Sequence, residues 1–418
     1  MKQRTKVCGI DVHKDFLQVC ILSLTGESSQ HRIHNTHDDI LDLKDLLLSE
    51  GCELIALEST GIYWYLLYFT LENDIPIIVG NANQMKSIPG RKTDVRDSEW
   101  IAQLALNGLI KPSRIFPRNK REFRDLTRNR ETLVKSRTTI KNRIHKILDS
   151  AGMRLKSVMK DIFGKSGRHL LEGLAQQRDL NTLLQTIPSP IIRRKVDEIK
   201  VIMHTSLSPI QIHLLKTQLQ LLNEIEEKID TINGLIVAAL TDDMHDSIGI
   251  CLSVPGIGMT AATTILAEVG DVRDFPSADQ LASWVGLTPS VYQSADHLVT
   301  GRITKRGSKH LRWILVQVAQ TASRSKNTVL SRFFKRVAFR RGRNKAIVAL
   351  ARKILCILWH LLTVKEKYKD PDLKKKVIIP LKSKLPDISI DDAVMVLLNA
   401  GFNVYAPGLQ RIPGKGVE

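Results

Sequence analysis

Four acidic residues have the types and spacing that a divalent metal site requires. Asp11 and Glu58 each close a short apolar segment, and Asp94 and Asp97 stand three residues apart at the start of a helical stretch, which places them on one face. Converging carboxylates repel one another unless a divalent cation lies between them. A pair of Mg²⁺ ions held in this way assists phosphodiester cleavage and transfer. The four acids therefore predict a catalytic site for one or two Mg²⁺ ions, with Mn²⁺ as a substitute.

Each acid also has an ordinary structural interpretation. An aspartate at a strand end is usually a turn or cap residue, and Thr93 or Asp94 could cap the helix that follows. The order of the four within one hundred residues, a strand-end Asp, a strand-end Glu and then Asp-x-x-Asp on a helix, favours the metal site over four unrelated caps.

The segments that must position these acids alternate between strand and helix patterns. Apolar runs predict strands at Val7–Asp11, Phe16–Leu24, Leu54–Glu58 and Ile75–Gly80, and helical spacing predicts helices at Asp38–Ser49 and Tyr63–Glu72. Paired strands followed by alternating strands and helices indicate a mixed sheet flanked by helices, as in the ribonuclease H-like architecture. The expected fold is thus α/β at the N-terminus and, from the patterns below, all-α beyond it.

The composition points to a nucleic-acid partner. The chain has 418 residues and a net charge of +19, an excess that favours binding to a polyanion. Five separated cysteines without a Cys-x-x-Cys pair indicate neither a zinc site nor disulfides. The N-terminus shows no signal-peptide pattern, and the apolar run Ile354–Val364 is too short to span a bilayer. We therefore expect a cytoplasmic, nucleoid-associated protein with no membrane partner.

A long basic helix is predicted after the α/β segment. Residues 111–146 contain 13 Lys and Arg but only three acids. Its apolar residues recur every seven positions, at Leu126, Leu133, Ile140 and Ile147. The excess of cations exceeds what solubility needs, so we expect nucleic-acid phosphates to bind four of them: Arg128, Arg130, Arg137 and Lys141.

A second heptad seam lies further along the chain. Its members are Leu215, Leu222, Ile229 and Ile236. About three heptads with charged residues outside the seam predict a coiled coil, either with the first long helix or with another subunit. The sequence leaves both pairings open.

The C-terminal third holds further basic segments. A Val254-Pro-Gly-Ile-Gly turn before a helix resembles the hairpin of helix-hairpin-helix modules, whose free backbone N–H groups bind a DNA phosphate. One loop-to-helix segment downstream contains five cations that we expect to contact nucleic acid: Arg302, Lys305, Arg306, Lys309 and Arg312. Another basic cluster runs from Lys335 to Lys345, and the chain ends in a Lys/Pro-rich tail.

Taken in order, these motifs resemble transposases of the insertion sequence 110 family, DEDD recombinases guided by a structured bridge RNA. The matching segments are Gly9-Ile-Asp-Val-His-Lys, Ala56-Leu-Glu-Ser-Thr-Gly, Lys92-Thr-Asp-Val-Arg-Asp, Pro255-Gly-Ile-Gly, Gln293-Ser and Gly301-Arg-Ile-Thr-Lys-Arg-Gly. The resemblance implies a RuvC-like first domain whose metal tetrad is Asp11, Glu58, Asp94 and Asp97. It also implies excision and integration of an insertion sequence.

The same resemblance implies a serine nucleophile. The serine of the family's Ser-Gly pair matches Ser294, but Ala295 replaces the glycine, which leaves the backbone conformation after the serine open. A serine hydroxyl is a weak nucleophile until a metal or base activates it. Its implied role is to attack a DNA phosphodiester and hold the strand covalently. Ser290, four residues upstream, is the competing candidate.

The implied partners are double-stranded DNA of the element and of its target, a structured noncoding guide RNA that pairs with DNA, and further copies of the chain in a dimer or tetramer. The tetrad and Ser294 lie nearly two hundred residues apart, which leaves open a site completed between subunits. Two alternatives also remain: a metal-dependent junction resolvase or nuclease in which Ser294 has no role, and a non-catalytic nucleic-acid-binding protein.

The motifs divide the chain into four predicted segments. They are a RuvC-like catalytic domain at 1–112, a basic helix and coiled-coil region at 113–245, a C-terminal transposase domain with the serine and a helix-hairpin-helix-like element at 246–365, and a basic tail at 366–418.

Overall fold

The computed structural model describes residues 4–59, 61–80, 94–204, 206–294 and 297–370, without the side chains of residues 94 and 292–300. The chain forms two compact units, Met1–Glu122 and Phe123–Glu418. The break lies close to the predicted boundary at residue 112, whereas the finer division of the second unit stays a prediction. The predicted tail beyond residue 370 lies outside the described residues.

A five-stranded mixed sheet forms the centre of the first unit. Its strands are β1 (Lys6–Val12), β2 (Phe16–Ser23), β3 (Ser28–His34), β4 (Ile55–Glu58) and β5 (Ile77–Gly80). The spatial order is β3-β2-β1-β4-β5, with antiparallel pairing on the β3 side of β1 and parallel pairing on the β5 side. The ribonuclease H-like order predicted from the sequence is confirmed.

Strand β3 has no counterpart in the sequence prediction because it is a polar edge strand. Six of its seven residues are Ser, Gln, His or Arg, and Ile33 is its only aliphatic residue. The turn before it contains Gly26 with φ of 93°, a conformation that favours glycine. Backbone pairing with β2 along the whole strand then supplies the stability that apolar burial does not.

In the described part of the first unit, three helices cover the sheet: α1 (His37–Ser49), α2 (Trp64–Leu71) and α3 (Asp94–Leu106). Helices α1 and α2 share one apolar core with Ile10 and Leu57, and α3 shares another with Val7 and Ala56. Neighbouring residues of a strand point to opposite faces. The described helices therefore lie on two sides, α1 and α2 on one face of the sheet and α3 on the face that includes Val7.

The contact between α3 and β1 depends on Gly9. A Cβ at this position would lie 2.3 Å from the backbone nitrogen of Ala102 and 2.3 Å from the backbone oxygen of Ser98. Real side chains do not tolerate such distances, so only glycine lets the helix backbone lie directly on the strand. Gly9 belongs to the matched Gly-Ile-Asp motif and stands two residues before Asp11.

The second unit begins within a long helix and continues as a helical array. Its first helices are α4 (Arg118–Ser150), α5 (Lys165–Ala175), α6 (Leu180–Gln185), α7 (Pro190–Arg193), α8 (Val196–Ile202) and α9 (Pro209–Ala238). Helix α9 begins at a capping box in which Ser208 and Gln211 satisfy each other's backbone N–H groups. Both predicted long helices are present.

Helices α4 and α9 pack against each other in opposite directions. Arg130 Nε donates to Asn233 Oδ1 at 2.6 Å, and further along α4 the Nζ of Lys141 lies 3.4 Å from Oε1 of Glu226. Phe123 and Ile236 share a small apolar cluster beyond the first of these contacts. The first long helix of the same chain is therefore a partner of the second, and coiled-coil packing with it or with another subunit stays a prediction.

The remaining described residues of the second unit form a helical bundle with one β-hairpin. Its elements are α10 (Asp242–Leu252), α11 (Met259–Val269), α12 (Ala278–Val285), β6 (Pro289–Ser294), β7 (His297–Ile303), α13 (Lys309–Arg324), α14 (Val329–Arg341) and α15 (Arg343–Val364). Helices α11, α13 and α15 supply most of its buried core.

Helix α15 is the one described helix that is long and apolar enough to cross a membrane by length and composition. It has 22 residues and extends well before the apolar run Ile354–Val364. The prediction that this segment is too short to span a bilayer is therefore wrong for the whole helix. Its residues Leu350, Ile354 and Leu358 are at most 1% exposed and pack in the bundle core. The prediction that this segment packs inside the protein is confirmed.

We expect Gly9→Ala to destabilise the first unit, because the added methyl group would push α3 off β1. Overpacking of this kind costs about 1–3 kcal/mol, measurable as a lower thermal-unfolding midpoint. Gly249→Ala is the matched control, since a Cβ there meets nothing within 4 Å and alanine favours a helix. If both variants melted like the wild type, α3 would not rest on Gly9.

Candidate active site and nucleic-acid contacts

Asp11 and Glu58 are neighbours at one edge of the sheet. In the parallel pairing of β1 with β4, Ile10 stands opposite Leu57, so the next residues along the two strands occupy one row. Adjacent strands lie about 4.8 Å apart, and side chains in one row point to the same face. Parallel pairing therefore brings the two predicted carboxylates together at the carboxyl ends of their strands.

Both carboxylates lie on the face that α3 covers. Ile10 and Leu57 pack with α1 and α2, whereas Ala56, one residue earlier, packs with α3. Because side chains alternate along a strand, Asp11 and Glu58 share the face of Ala56.

Helix α3 directs its first turn toward the same edge. Its Ser98 and Ala102 backbone crosses β1 at Gly9, and the residues beyond, among them Ala105, share a core with Val7 at the other end of β1. The turn that contains Asp94 and Asp97 precedes this crossing and so lies toward Asp11. The structure thus brings all four predicted positions to one edge of the first unit, although the side chain of Asp94 is outside the described part.

Asp11 has a partner within the protein. Its Oδ2 lies 3.0 Å from Nε2 of His13, and the His13 ring stacks on Phe16 with 4.3 Å between centroids. Among the described side chains, no group of three or more His, Cys, Asp or Glu stands close enough to hold a metal. Carboxylate oxygens such as those at this edge are nevertheless the ligands that Mg²⁺ and Mn²⁺ prefer, and the side chains of Asp11 and Glu58 point to the same face of the sheet.

Ser294 is the last residue of β6, at the tip of the β6–β7 hairpin in the second unit. It pairs with His297, and only residues 295 and 296 connect the strands. The prediction about Ala295 falls on this connection and lies outside the described residues. The hairpin was not predicted, because its strands lack a run of aliphatic residues.

The alternative nucleophile Ser290 has a structural role near the base of the hairpin. Its Oγ donates to the backbone oxygen of Arg302 at 3.2 Å. A Cβ on the opposing Gly301 would come within 2.3 Å of that Oγ, so the glycine makes room for the hydroxyl. Ser290 is therefore bound to the neighbouring strand, which favours Ser294 between the two.

The basic segment after the hairpin separates into two kinds of cation. Arg302, Lys305, Arg306 and Lys309 are exposed. Arg312 instead donates from Nη1 to the backbone oxygens of Val285, Arg306 and Gly307, at 2.8 to 3.0 Å. Burial lowers the pKa of the Arg312 guanidinium. Arg312 thus holds the turn before α13 against the end of α12, and its binding to nucleic acid stays a prediction.

The Pro255-Gly-Ile-Gly turn connects α10 to α11. Gly256 has φ of 94°, and a Cβ there would lie 2.8 Å from the backbone nitrogen of Ala322, so this glycine serves close packing on α13. Gly258 precedes α11 without a side-chain cap for the first N–H groups of the helix. Phosphate binding by those groups stays a prediction.

Arg128 of α4 is held by a buried carboxylate. Its Nε and Nη2 donate to the two carboxylate oxygens of Glu268, at 2.6 and 2.9 Å, and Glu268 is 1% exposed. The same carboxylate accepts a hydrogen bond of 2.7 Å from Ser308, the residue that caps α13. One acid therefore joins α4, α11 and the start of α13.

Glu131, one turn further along α4, makes a second such junction. It is buried, and its carboxylate binds Lys135 of the same helix and Nδ1 of His310 on α13, the latter at 2.6 Å. Burial raises the pKa of Glu131, but the hydrogen bonds from Lys135 and His310 outweigh it and lower that pKa below its usual value. The carboxylate is therefore charged and paired at neutral pH.

Three of the four cations predicted to bind nucleic acid on α4 thus have partners inside the second unit. Arg128 binds Glu268, Arg130 donates to Asn233, and Lys141 lies beside Glu226 and over the ring of Phe163. Their contacts with nucleic acid stay predictions. No local sequence pattern indicates these partners, since Glu268 lies 140 residues from Arg128 and within an apolar helix.

Two family models match the chain in order. A DEDD transposase model of the IS110 group matches residues 8–153, and the model of the transposase IS116/IS110/IS902 family matches residues 250–335. The first match contains the carboxylate edge, and the second contains the hairpin with Ser294.

Two relatives named as transposases agree with these matches. The transposase for insertion sequence element IS1111A of Coxiella burnetii is 26% identical over 87% of this chain and 91% of its own length. A probable family 20 transposase of Pseudomonas aeruginosa is 28% identical over 74% of this chain and 84% of its own length. T. thermophilus RuvC, solved with a Holliday junction substrate, is 13% identical over 26% of this chain and 100% of that one, with a TM-score of 0.22.

The mixed sheet, the helical second unit and the two matched segments define a DNA-processing enzyme of the transposase class. More narrowly, the chain belongs to the IS110 family of transposases.

We expect Arg128→Met to destabilise the second unit, because Glu268 would keep a buried charge without its partner. The cost should be about 3 kcal/mol, at the low end for a buried pair because the Arg128 side chain is 34% exposed. Denaturant unfolding of the full chain measures it. Arg137→Met, on the same helix and in no ion pair with a described residue, is the control and should leave stability unchanged. Wild-type stability of Arg128→Met together with weaker DNA binding would assign Arg128 to nucleic acid instead.

Proposed function

We propose that this transposase excises and integrates an insertion sequence by metal-dependent strand cleavage and exchange through a serine nucleophile, at a target selected by a guide RNA. The observation that carries the proposal is the row formed by Asp11 and Glu58 on the face covered by α3. Carboxylates gathered on one face repel each other, and a divalent cation between them relieves that repulsion. This arrangement is therefore better suited to holding an ion than to holding the fold.

Asp11, Glu58, Asp94 and Asp97 are the residues that would hold one or two Mg²⁺ ions, or Mn²⁺. A bound ion would neutralise charge on the phosphoryl oxygens during transfer. The chain's own part is to orient the ligands. The hydrogen bond with His13 fixes the Asp11 carboxylate, and the contact of α3 with Gly9 fixes the helix that carries Asp94 and Asp97.

Ser294 is proposed to attack the scissile phosphodiester. Its Oγ forms a bond to phosphorus, the bond from phosphorus to one deoxyribose oxygen breaks, and the leaving oxygen takes up a proton. A hydroxyl of the second strand then displaces Ser294 and restores a phosphodiester. Bonds broken and formed are equal in number, so the exchange needs no external energy source.

Nucleic acids and further copies of the chain are the partners that follow from this proposal. The net charge of +19 and the exposed cations from Arg302 to Lys309 support binding of element DNA, target DNA and a structured guide RNA. Further copies of the chain are proposed as well, in a dimer or tetramer. Helix α9 supports this, since its Leu214 and Leu235 are 44% and 50% exposed even though the helix already pairs with α4.

We expect Asp11→Asn, Glu58→Gln, Asp94→Asn and Asp97→Asn each to abolish strand exchange while the protein remains folded, because each removes an anionic oxygen from the metal site. Recombination between donor and target DNA in Mg²⁺ measures activity, and thermal unfolding checks the fold. Asp45→Asn is the control, since Asp45 is exposed on α1, across the sheet. Near-normal recombination by one tetrad variant would remove that residue from the site.

We expect wild-type protein to form a covalent adduct with DNA through Ser294. A suicide target with a nick beside the scissile phosphate traps the adduct, which a denaturing gel resolves as a shifted band. Ser294→Ala should lose the band, whereas Ser290→Ala should retain it, because the Ser290 hydroxyl serves a backbone contact. Cleavage by active wild-type protein without any adduct would favour a junction resolvase. Loss of the band from Ser290→Ala alone would move the nucleophile to Ser290.

A further inference from the structure

The connection between α14 and α15 lies in the most one-sidedly charged part of the chain. Residues 297–365 contain 17 Lys and Arg and no Asp or Glu. Within this stretch, every residue from Phe339 to Lys345 is exposed, and Gly342, with φ of 82°, forms the turn between the helices. The turn therefore presents a concentrated positive charge to solvent.

One aromatic side chain stands in the middle of this charge. Phe339 is 93% exposed, more than any other large apolar side chain that the structure describes. It does not belong to the apolar side of α14, whose Leu330, Phe333 and Phe334 pack into the bundle core. A phenylalanine held in solvent forgoes the stabilisation that burial would give, so its position suits a ligand better than it suits the fold.

Three of the cations around Phe339 have no acidic partner in the described part of the chain. Arg336 lies one turn before it on the same side of the helix, and Arg340, Arg341 and Arg343 follow it. None of the last three forms an ion pair with any residue in the described part of the chain. The tip thus combines one exposed aromatic side chain with three guanidinium groups that no described acid pairs.

We propose that this tip, Arg336–Lys345, binds single-stranded DNA, with Phe339 stacked on an unpaired base and the arginines bound to the neighbouring phosphates. Aromatic stacking beside a basic surface is how proteins hold single strands without reading their sequence. A second copy of this chain is a poor occupant, because its net charge of +19 would face the same guanidinium groups. The inference rests on the proposed strand exchange, since that reaction leaves DNA strands unpaired.

The test measures binding of full-length protein to a labelled oligothymidylate by fluorescence anisotropy. Phe339→Ala should bind about tenfold more weakly, and Phe339→Trp should bind like the wild type. Ile210→Ala is the control, since Ile210 is 73% exposed on α9, away from this cluster, and its loss should change nothing. On a strand of the same length with abasic sites, wild type and Phe339→Ala should bind alike, because no base remains to stack.

The charges are tested separately. Replacing Arg340, Arg341 and Arg343 by Gln should lower the slope of log affinity against log salt by about 0.7 for each single-strand phosphate that the variant no longer neutralises.

On duplex DNA of the same sequence, Phe339→Ala should change affinity less than about twofold, because paired bases offer no free face for stacking. Because Phe339 is exposed, its replacement should leave thermal unfolding unchanged.

Several results would overturn the proposal. One is that Phe339→Ala and the wild type bind the single strand with equal affinity, and another is that Phe339→Ala loses as much affinity on the abasic strand as on the intact one. A third is that Phe339→Ala loses affinity only for single-stranded RNA. A fourth is that Phe339→Ala changes the oligomeric state of the protein while its DNA binding stays intact. Asp11→Asn should bind the oligothymidylate like the wild type. Failure of the proposed catalysis and failure of this binding site are therefore separate outcomes.

Discussion

The contact between the backbone of α3 and Gly9 is the constraint on which the first unit depends. It sets the helix against β1 at a distance that any side chain would prevent, and it thereby directs the turn with Asp94 and Asp97 toward the end of the strand that carries Asp11. The parallel register with β4 adds Glu58 to the same face. Four acids that are distant in sequence reach one edge because a glycine permits one close approach.

The second unit uses buried carboxylates for a different purpose. Glu268 binds Arg128 and the Ser308 hydroxyl, Glu131 binds Lys135 and His310, and each carboxylate connects α4 to α13. The hairpin whose first strand ends at Ser294 lies directly before α13 in the sequence. The basic character of α4 is therefore partly structural, and further exposed cations follow the hairpin and cluster at the tip of α14.

Much of this arrangement could be predicted from the sequence where apolar periodicity is strong. The strands ending at Asp11 and Glu58 are apolar runs, and the seam of α9 is buried at each predicted position, from Leu215 to Ile236. Polar strands such as β3 and the hairpin of Ser294 were missed, because backbone pairing rather than side-chain burial stabilises them. The pairing of Arg128 with Glu268 could not be predicted either, because an ion pair between distant segments leaves no local sequence pattern.

The central claim is that the acids at the edge of the first unit share a divalent ion. Replacing Mg²⁺ by Fe²⁺ with ascorbate and peroxide tests it directly, because hydroxyl radicals formed at the bound iron cut the nearest backbone. We expect three cuts together, near Asp11, near Glu58 and between Asp94 and Asp97, all suppressed by excess Mg²⁺. Cuts confined to other segments, or cuts that excess Mg²⁺ does not suppress, would contradict the account.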